Sequence, residues 1–500
     1  MKFLLQTTAL ATVLLVAAGC ATPTPEALKP TDVPQAFTAP IQQNAPVWPQ
    51  VNWWQSFGST EMAGLITTAQ TDNLDLAAAT AQVLQAEANS EIAGSSLFPN
   101  LSLGANADRN GSKKSSTIIT PPTTGGTGTT FFGGGTSNSF GVTLNASYQL
   151  DLFGKARDDL EAAQETVKSA QYAQQTVALT VVGDVADTYM AVLALRERIA
   201  IARQNLDAAS RILSITQAKV DNGVSSNLEL SQQKALVSGV KAEIAPLQEQ
   251  EREARYALAV LLGRPPEGFD VTAQNLNGIA GPAVQPGIPS ELLERRPDVS
   301  ESLADLASAH ANVNAARAAY FPQIGLTGSG GFESAMLGTL FKSQSFVWSI
   351  GASLLQTVFD GGLLEGQSDL AKAQEMQLVA NYRKAVLNAF SNTETALGQV
   401  YSFADQEKNL ADEVAAAQEA FRISELQYRE GTTDLLAVLQ AQQTLFSAQD
   451  QLVQSKLAHL QAEISLYNAL GGGWTEADNP DTTATVGKHP DNYLLPILPF

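Results

Sequence analysis

The chain has 500 residues, with 30 Lys and Arg against 50 Asp and Glu and a formal net charge of −20. That balance excludes nucleic acid as a partner, because phosphate backbones reward basic surfaces. It leaves membranes open, since uncharged polar and apolar residues can alternate in a barrel.

Lys2, the apolar run from Phe3 to Val16 and the small residues after it read as a secretory signal peptide over 1–19. The run is too short for a comfortable transmembrane helix. The only cysteine, Cys20, directly follows Val16-Ala17-Ala18-Gly19. This resembles a bacterial lipobox, with Ala17 where Leu is usual, and makes Cys20 the lipidated, palmitate-bearing first residue of the mature chain. An ordinary cleaved signal with an incidental cysteine is the alternative. Ala21 in place of Asp favours sorting to the outer membrane. With Cys20 used, no disulfide can form.

Residues 20–59 read as a Pro- and Thr-rich arm ending in an aromatic cluster, Trp48, Trp53, Trp54 and Phe57, packed against the body. One helix is expected over about 60–96, ended by Phe98-Pro99. A strand follows, with Leu101, Leu103, Ala105 and Ala107 alternating against Ser102, Gly104, Asn106 and Asp108. Residues 109–138 read as a long polar loop. From Phe140 to Leu152 the period is two again, apolar on one side and polar on the other. At Phe153-Gly154 it changes: Ala156, Leu160, Ala163, Val167 and Ala170 are four and three apart. One helix of about 65 residues, roughly 100 Å long, runs from there to Asp221-Asn222-Gly223. A return helix over about 225–262 contains Pro246, which should bend it. Residues 264–296 read as a Pro/Gly-rich connector.

Then the pattern repeats: helix from Pro297, Phe321-Pro322, strand, shorter loop, strand, Phe359-Asp360-Gly361-Gly362, long helix to about Tyr428, turn, return helix to Leu470-Gly471. Gly223 and Gly431 lie 208 residues apart, as do Gly263 and Gly471. Such equal offsets mark an internal duplication, with repeats at 60–263 and 297–471, a connector at 264–296 and a C-terminal segment at 472–500. No linker separates independent cores, so a single elongated body is expected. Each half supplies two strands, and four strands cannot close a barrel whose smallest bacterial form has about eight. Open edges cannot face lipid, so copies of the chain must pool strands. A soluble sandwich edge, or a coiled-coil stalk for the helices, is the alternative; the stalk does not explain why each half returns to its starting end. An enzyme is the main competing class. The histidines His310, His459 and His489 lack ligand spacing, Arg295-Arg296 before Pro297 suits capping or an ion pair, and neither cofactor nor metal is expected.

The chain closely resembles the TolC-like outer-membrane efflux proteins, in the lipoprotein branch serving resistance-nodulation-division tripartite pumps. The resemblance rests on Trp53-Trp54 with Phe57, Leu150-Asp151-Leu152-Phe153-Gly154, the run Ala257 to Gly263, Arg295-Arg296-Pro297-Asp298-Val299, Phe321-Pro322 and Phe359-Asp360-Gly361-Gly362. It implies an α+β membrane protein: a homotrimer with a twelve-strand β-barrel in outer-membrane lipid, continued by a periplasmic α-helical barrel with a mixed equatorial domain. It further implies a periplasmic adaptor and an inner-membrane pump as partners, and passive efflux of drugs or other small toxic compounds. A type I protein-export conduit has the same architecture and stays open. The resemblance puts adaptor docking at two turns, Asp221-Asn222-Gly223-Val224 and Arg429-Glu430-Gly431-Thr432. Many relatives carry Asp at the positions matching Ala437 and Gln440, and this chain has neither. Leu436 is therefore expected to supply an apolar constriction and Gln440 a neutral polar one, with Tyr428 and Arg429 bracing neighbouring helices and Asp434 capping its own. A plain helix-seam role for Leu436 stays open. The negative balance predicts a lumen that favours cations.

Overall fold

The computed structural model describes residues 33–39, 47–111, 136–281 and 283–474. Cys20 and His489 lie outside them, as do the signal peptide and most of 472–500. After a short 3-10 turn at Trp53–Phe57, the order is α1 (Thr60–Asp72), α2 (Leu74–Ser95), β1 (Asn100–Gly111), β2 (Thr136–Leu150), α3 (Lys155–Asp221) and α4 (Asn227–Leu261). The second half holds α5 (Pro289–Arg295), α6 (Pro297–Ala318), β3 (Gln323–Ser334), β4 (Phe346–Leu355), α7 (Leu363–Glu430) and α8 (Leu435–Ala469). The described residues are mostly helical, with one small sheet.

The expected single body resolves into two compact units. One combines Ala86–Thr166 with Ala307–Gln377; the other combines Pro25–Gln85, Val167–Leu306 and Leu378–Phe500. Neither is a repeat. The division falls within helices, because each half of the chain contributes to both units.

The first unit carries the antiparallel sheet, in the order β1-β2-β3-β4. Its register places the apolar faces of all four strands together. Leu101 pairs with Ala146, Ala146 with Gly328 and Gly328 with Ile350; Leu103 pairs with Leu144, Leu144 with Gly330 and Gly330 with Trp348. The other face joins Ser102, Asn145, Ser329 and Ser349. A one-residue slip anywhere would mix the two faces. Leu103, Trp348 and Ile350 are exposed in the single chain, and β1 and β4 are the sheet's edges. β2 ends at Leu150, two residues before the alternating pattern does. Phe153, past that end, stacks on Phe321 with ring centroids 4.7 Å apart.

The second unit holds the main core. Trp53, Trp54 and Phe57 are buried there, and Trp53 stacks on Tyr467 at 4.7 Å. The helix expected over 60–96 is two helices. Asn73 breaks it: its Oδ1 accepts from the backbone N–H groups of Asp75 and Leu76 at 2.9 and 3.0 Å, starting a new helix. The same side chain donates from Nδ2 to the Leu261 carbonyl at 2.8 Å, capping the end of α4. The second half solves this differently. Arg296, between α5 and α6, donates to the Ala469 carbonyl at 3.1 Å and pairs bidentately with Asp298. Residues 264–296 contain α5, which starts with Pro289 in its first turn. α4 runs through Pro246 without ending.

Side chains from the helices pin the irregular segments of this unit. Glu61 accepts from Thr272 N, Thr272 Oγ1, Ala273 N and Tyr189 Oη at 2.6–3.1 Å. Arg196 donates to the carbonyls of Val271 and Ala273 at 2.6 and 2.8 Å. Glu394 accepts from Thr38 N and Ala39 N at 2.7 and 2.9 Å, while Phe37 is buried in the same core.

Candidate functional site

The two interhelical turns have the same construction. α3 ends with Val224 N–H donating to the Lys219 carbonyl at 2.8 Å and Gly223 N–H to the Val220 carbonyl at 2.9 Å. α7 ends with Thr432 N–H donating to Gln427 O at 2.9 Å and Gly431 N–H to Tyr428 O at 3.2 Å. These paired bonds form the Schellman cap, which places a left-handed residue just past the helix. Gly223 and Gly431 supply it at φ +73° and +77°. Three residues on, each return helix is capped. Ser226 accepts from Glu229 N–H at 3.2 Å, and Glu229 answers by accepting from Ser226 N–H at 3.1 Å. Asp434 accepts from Ala437 N–H at 3.0 Å.

Around these turns, Asp221 accepts from Gln217 at 2.8 Å and Asn222 donates to the Ala218 carbonyl at 2.7 Å. Val224, Arg429, Glu430, Gly431 and Thr432 are all exposed in the single chain, Val224 at 75%. Tyr428 is buried, and its hydroxyl lies 3.1 Å from Thr216 Oγ1. Lys219 Nζ sits 4.0 Å from the centre of the Tyr428 ring and donates to the Tyr428 carbonyl. This ammonium therefore caps the end of α7 from α3 and draws the two turns together. Arg429, expected beside Tyr428 as a brace, is exposed in the single chain.

On α8, Leu435 and Val438 are fully buried while Leu436 is 60% exposed and Gln440 is exposed. Leu436 and Gln440 are four apart and so share one helix face. Both line a groove of about 990 Å³ walled by α3, α4 and α8, with Gln232, Leu236 and Leu439 among its walls.

The outer membrane efflux protein family model matches residues 65–264 and again 288–472. The chain belongs to the outer membrane efflux protein family. It is 36% identical over 462 residues to the pyoverdine export outer membrane protein OpmQ of Pseudomonas putida, covering 92% of this chain and 96% of that protein. The toluene efflux pump outer membrane protein TtgC of Pseudomonas putida is 32% identical, covering 91% and 92%. The solved outer-membrane channel OprN superposes with a TM-score of 0.80 at 26% identity, covering 92% of this chain and 99% of that one. The protein is an outer-membrane efflux channel, in a family of transport proteins.

Two features of this efflux channel escape sequence reasoning. Lys219 shows only as one more basic residue in a helix's last turn. The repeat hides it further, because its counterpart 208 residues on is Gln427, and that of Tyr428 is Val220. The second feature is Asp187 of α3, whose Oδ1 is buried without a hydrogen-bond partner among the described residues. Burial, aided by Asp184, pushes its carboxyl up to about 7. A raised folded-state value means that the folded chain holds the proton more tightly than the unfolded one, so this group's stability contribution is lost as pH rises from about 4 to about 7. Asp187→Asn should remove that loss. Relative to wild type, the variant's thermal midpoint in detergent should climb across this window, by the equivalent of at most about 4 kcal/mol at 1.36 kcal/mol per pH unit. A difference that stays constant with pH would refute this role.

Proposed function

We propose that this chain is the outer-membrane channel of a tripartite efflux system. Three copies close a twelve-strand barrel and a helical tunnel, fed by an inner-membrane pump of the resistance-nodulation-division type through a periplasmic adaptor. The observation that carries the reading is the sheet, with one apolar face, one polar face and two open edges. In hydrocarbon every backbone group must be paired, so four strands must meet strands of other copies. Three copies give twelve strands, within the range of outer-membrane barrels. The apolar face meets lipid and the polar face meets water.

The cargo is a small molecule. The pyoverdine and toluene roles of the relatives support this over protein export. Export of pyoverdine and efflux of toluene by those relatives both fit a passive conduit. Cys20 carries the lipid anchor, residues 1–19 are removed, and 20–59 with 264–296 and 472–500 form a belt around the tunnel's waist. The negative balance of the chain makes the lumen favour cations.

The test is the mass of the detergent-extracted particle, with mass spectrometry of its N-terminal peptide. A trimer carrying acylated Cys20 in the outer-membrane fraction is expected. A monodisperse monomer in mild detergent would overturn the assembly, and an unmodified Cys20 the anchor.

A further inference from the structure

We propose that the constriction near the turns is built from both return helices, with Leu228 and Gln232 of α4 standing beside Leu436 and Gln440 of α8. This rests on the channel reading above and adds two residues to its gate.

Both interhelical turns use a Schellman cap on glycine, and both place the next helix's N-cap three residues after that glycine. Such matched geometry starts the two return helices in the same rotational phase. A residue a given number of places past Gly223 therefore projects like the residue the same number past Gly431. Burial matches at five, seven and nine places on, although four, eight and eleven places on the α8 residue is buried where the α4 residue is exposed. Seven places on, Leu230 and Val438 are both buried, at 8% and 0% exposure. Five places on, Leu228 and Leu436 are both exposed, at 67% and 60%. Nine places on stand Gln232 and Gln440, both exposed.

The residue types agree at both exposed positions, although most neighbours differ. Asn227 to Leu236 share only this Leu and this Gln with Leu435 to Thr444. Gln232 and Gln440 line the same groove. The position between them differs without breaking the match. Glu229 stands opposite Ala437 in the repeat, but its carboxylate is occupied by the N-cap of its own helix, which takes it away from the groove.

A closed assembly of three copies would thus present six leucines and six glutamines, two of each per chain, in place of three. Glutamine offers donors and acceptors without charge, so this filter discriminates by size and hydration and leaves cargo charge to other parts of the lumen.

The experiment uses the full-length channel in planar bilayers, with Gln232→Asp and Gln440→Asp made separately and magnesium ions added from the turn side. Both positions are exposed, so both variants should assemble normally on a native gel. Each should gain divalent block at concentrations at least about tenfold below those affecting wild type, because close carboxylates bind cations. Block in Gln440→Asp with wild-type behaviour in Gln232→Asp would overturn the two-helix constriction while leaving the gate on α8. Wild-type behaviour in both would remove the gate from this level altogether, and this inference with it.

Discussion

Gly471→Ala and Gly263→Ala should each prevent the channel from reaching the outer membrane as a folded assembly. Both glycines follow the end of a return helix, at φ +85° and +65°. A side chain in that left-handed region costs about 1–2 kcal/mol. The larger cost is steric. A Cβ at Gly471 would overlap the Arg295 carbonyl, and one at Gly263 the Asp72 carbonyl. Backbone cannot swing aside as a long side chain can, and overpacking of this kind adds about 1–3 kcal/mol. Nor can the helix ends back away. Arg296 holds the Ala469 carbonyl and Asn73 holds the Leu261 carbonyl, so each glycine is pressed against the break between two helices. Heat-resistant assembly on a gel and outer-membrane fractionation give the readout. Wild-type amounts of assembled Gly471→Ala would show that this contact yields more easily than its geometry implies.

The pairs Asp72–Gly263 and Arg295–Gly471 also mark what the sequence could reveal. Asp72 and Arg295 lie 223 residues apart, the spacing that also separates Phe98 from Phe321. Gly263 and Gly471 lie 208 apart, the spacing of the two turns. Periods of two and of 3.6 made the strands and long helices visible, because burial on one face repeats along the chain. The same signal could not reveal the break at Asn73. Leu65, Leu74, Leu76 and Val83 continue an apolar pattern across it, and the break depends on an amide that grips a carbonyl 188 residues away. Glu61, Arg196 and Glu394 were hidden for the same reason. Their partners are backbone groups of irregular segments, 75 to 356 residues distant. On a helix each resembles an ordinary solvated charge. The turn residues were legible through their glycines. Leu228 and Gln232 were readable in principle, since the offset that relates the turns also aligns them with Leu436 and Gln440, but only shared exposure gives that alignment a meaning.

A bulky residue at Gly223 or Gly431 should abolish drug resistance while leaving a folded, membrane-inserted channel. The contrast with Gly263 and Gly471 is physical. At both turn glycines an added Cβ meets nothing within 4 Å, so only the left-handed backbone is penalised, at about 1–2 kcal/mol. That penalty falls on the ends of helices 67 and 68 residues long, anchored elsewhere by the core and near the turns by Lys219 and Tyr428. What changes is the surface offered to a partner. A leucine here projects into the solvent that an adaptor's tip would displace, and packed interfaces do not tolerate an unaccommodated side chain at their centre. Gly431→Leu and Gly223→Leu should lower resistance to the level of a strain lacking the channel, and adaptor crosslinking should fall with it. Asparagine tolerates the left-handed region far better than leucine and adds less bulk, so Gly431→Asn should retain an intermediate share of both. Unchanged resistance with intact crosslinking in the leucine variants would place adaptor docking somewhere other than the turns.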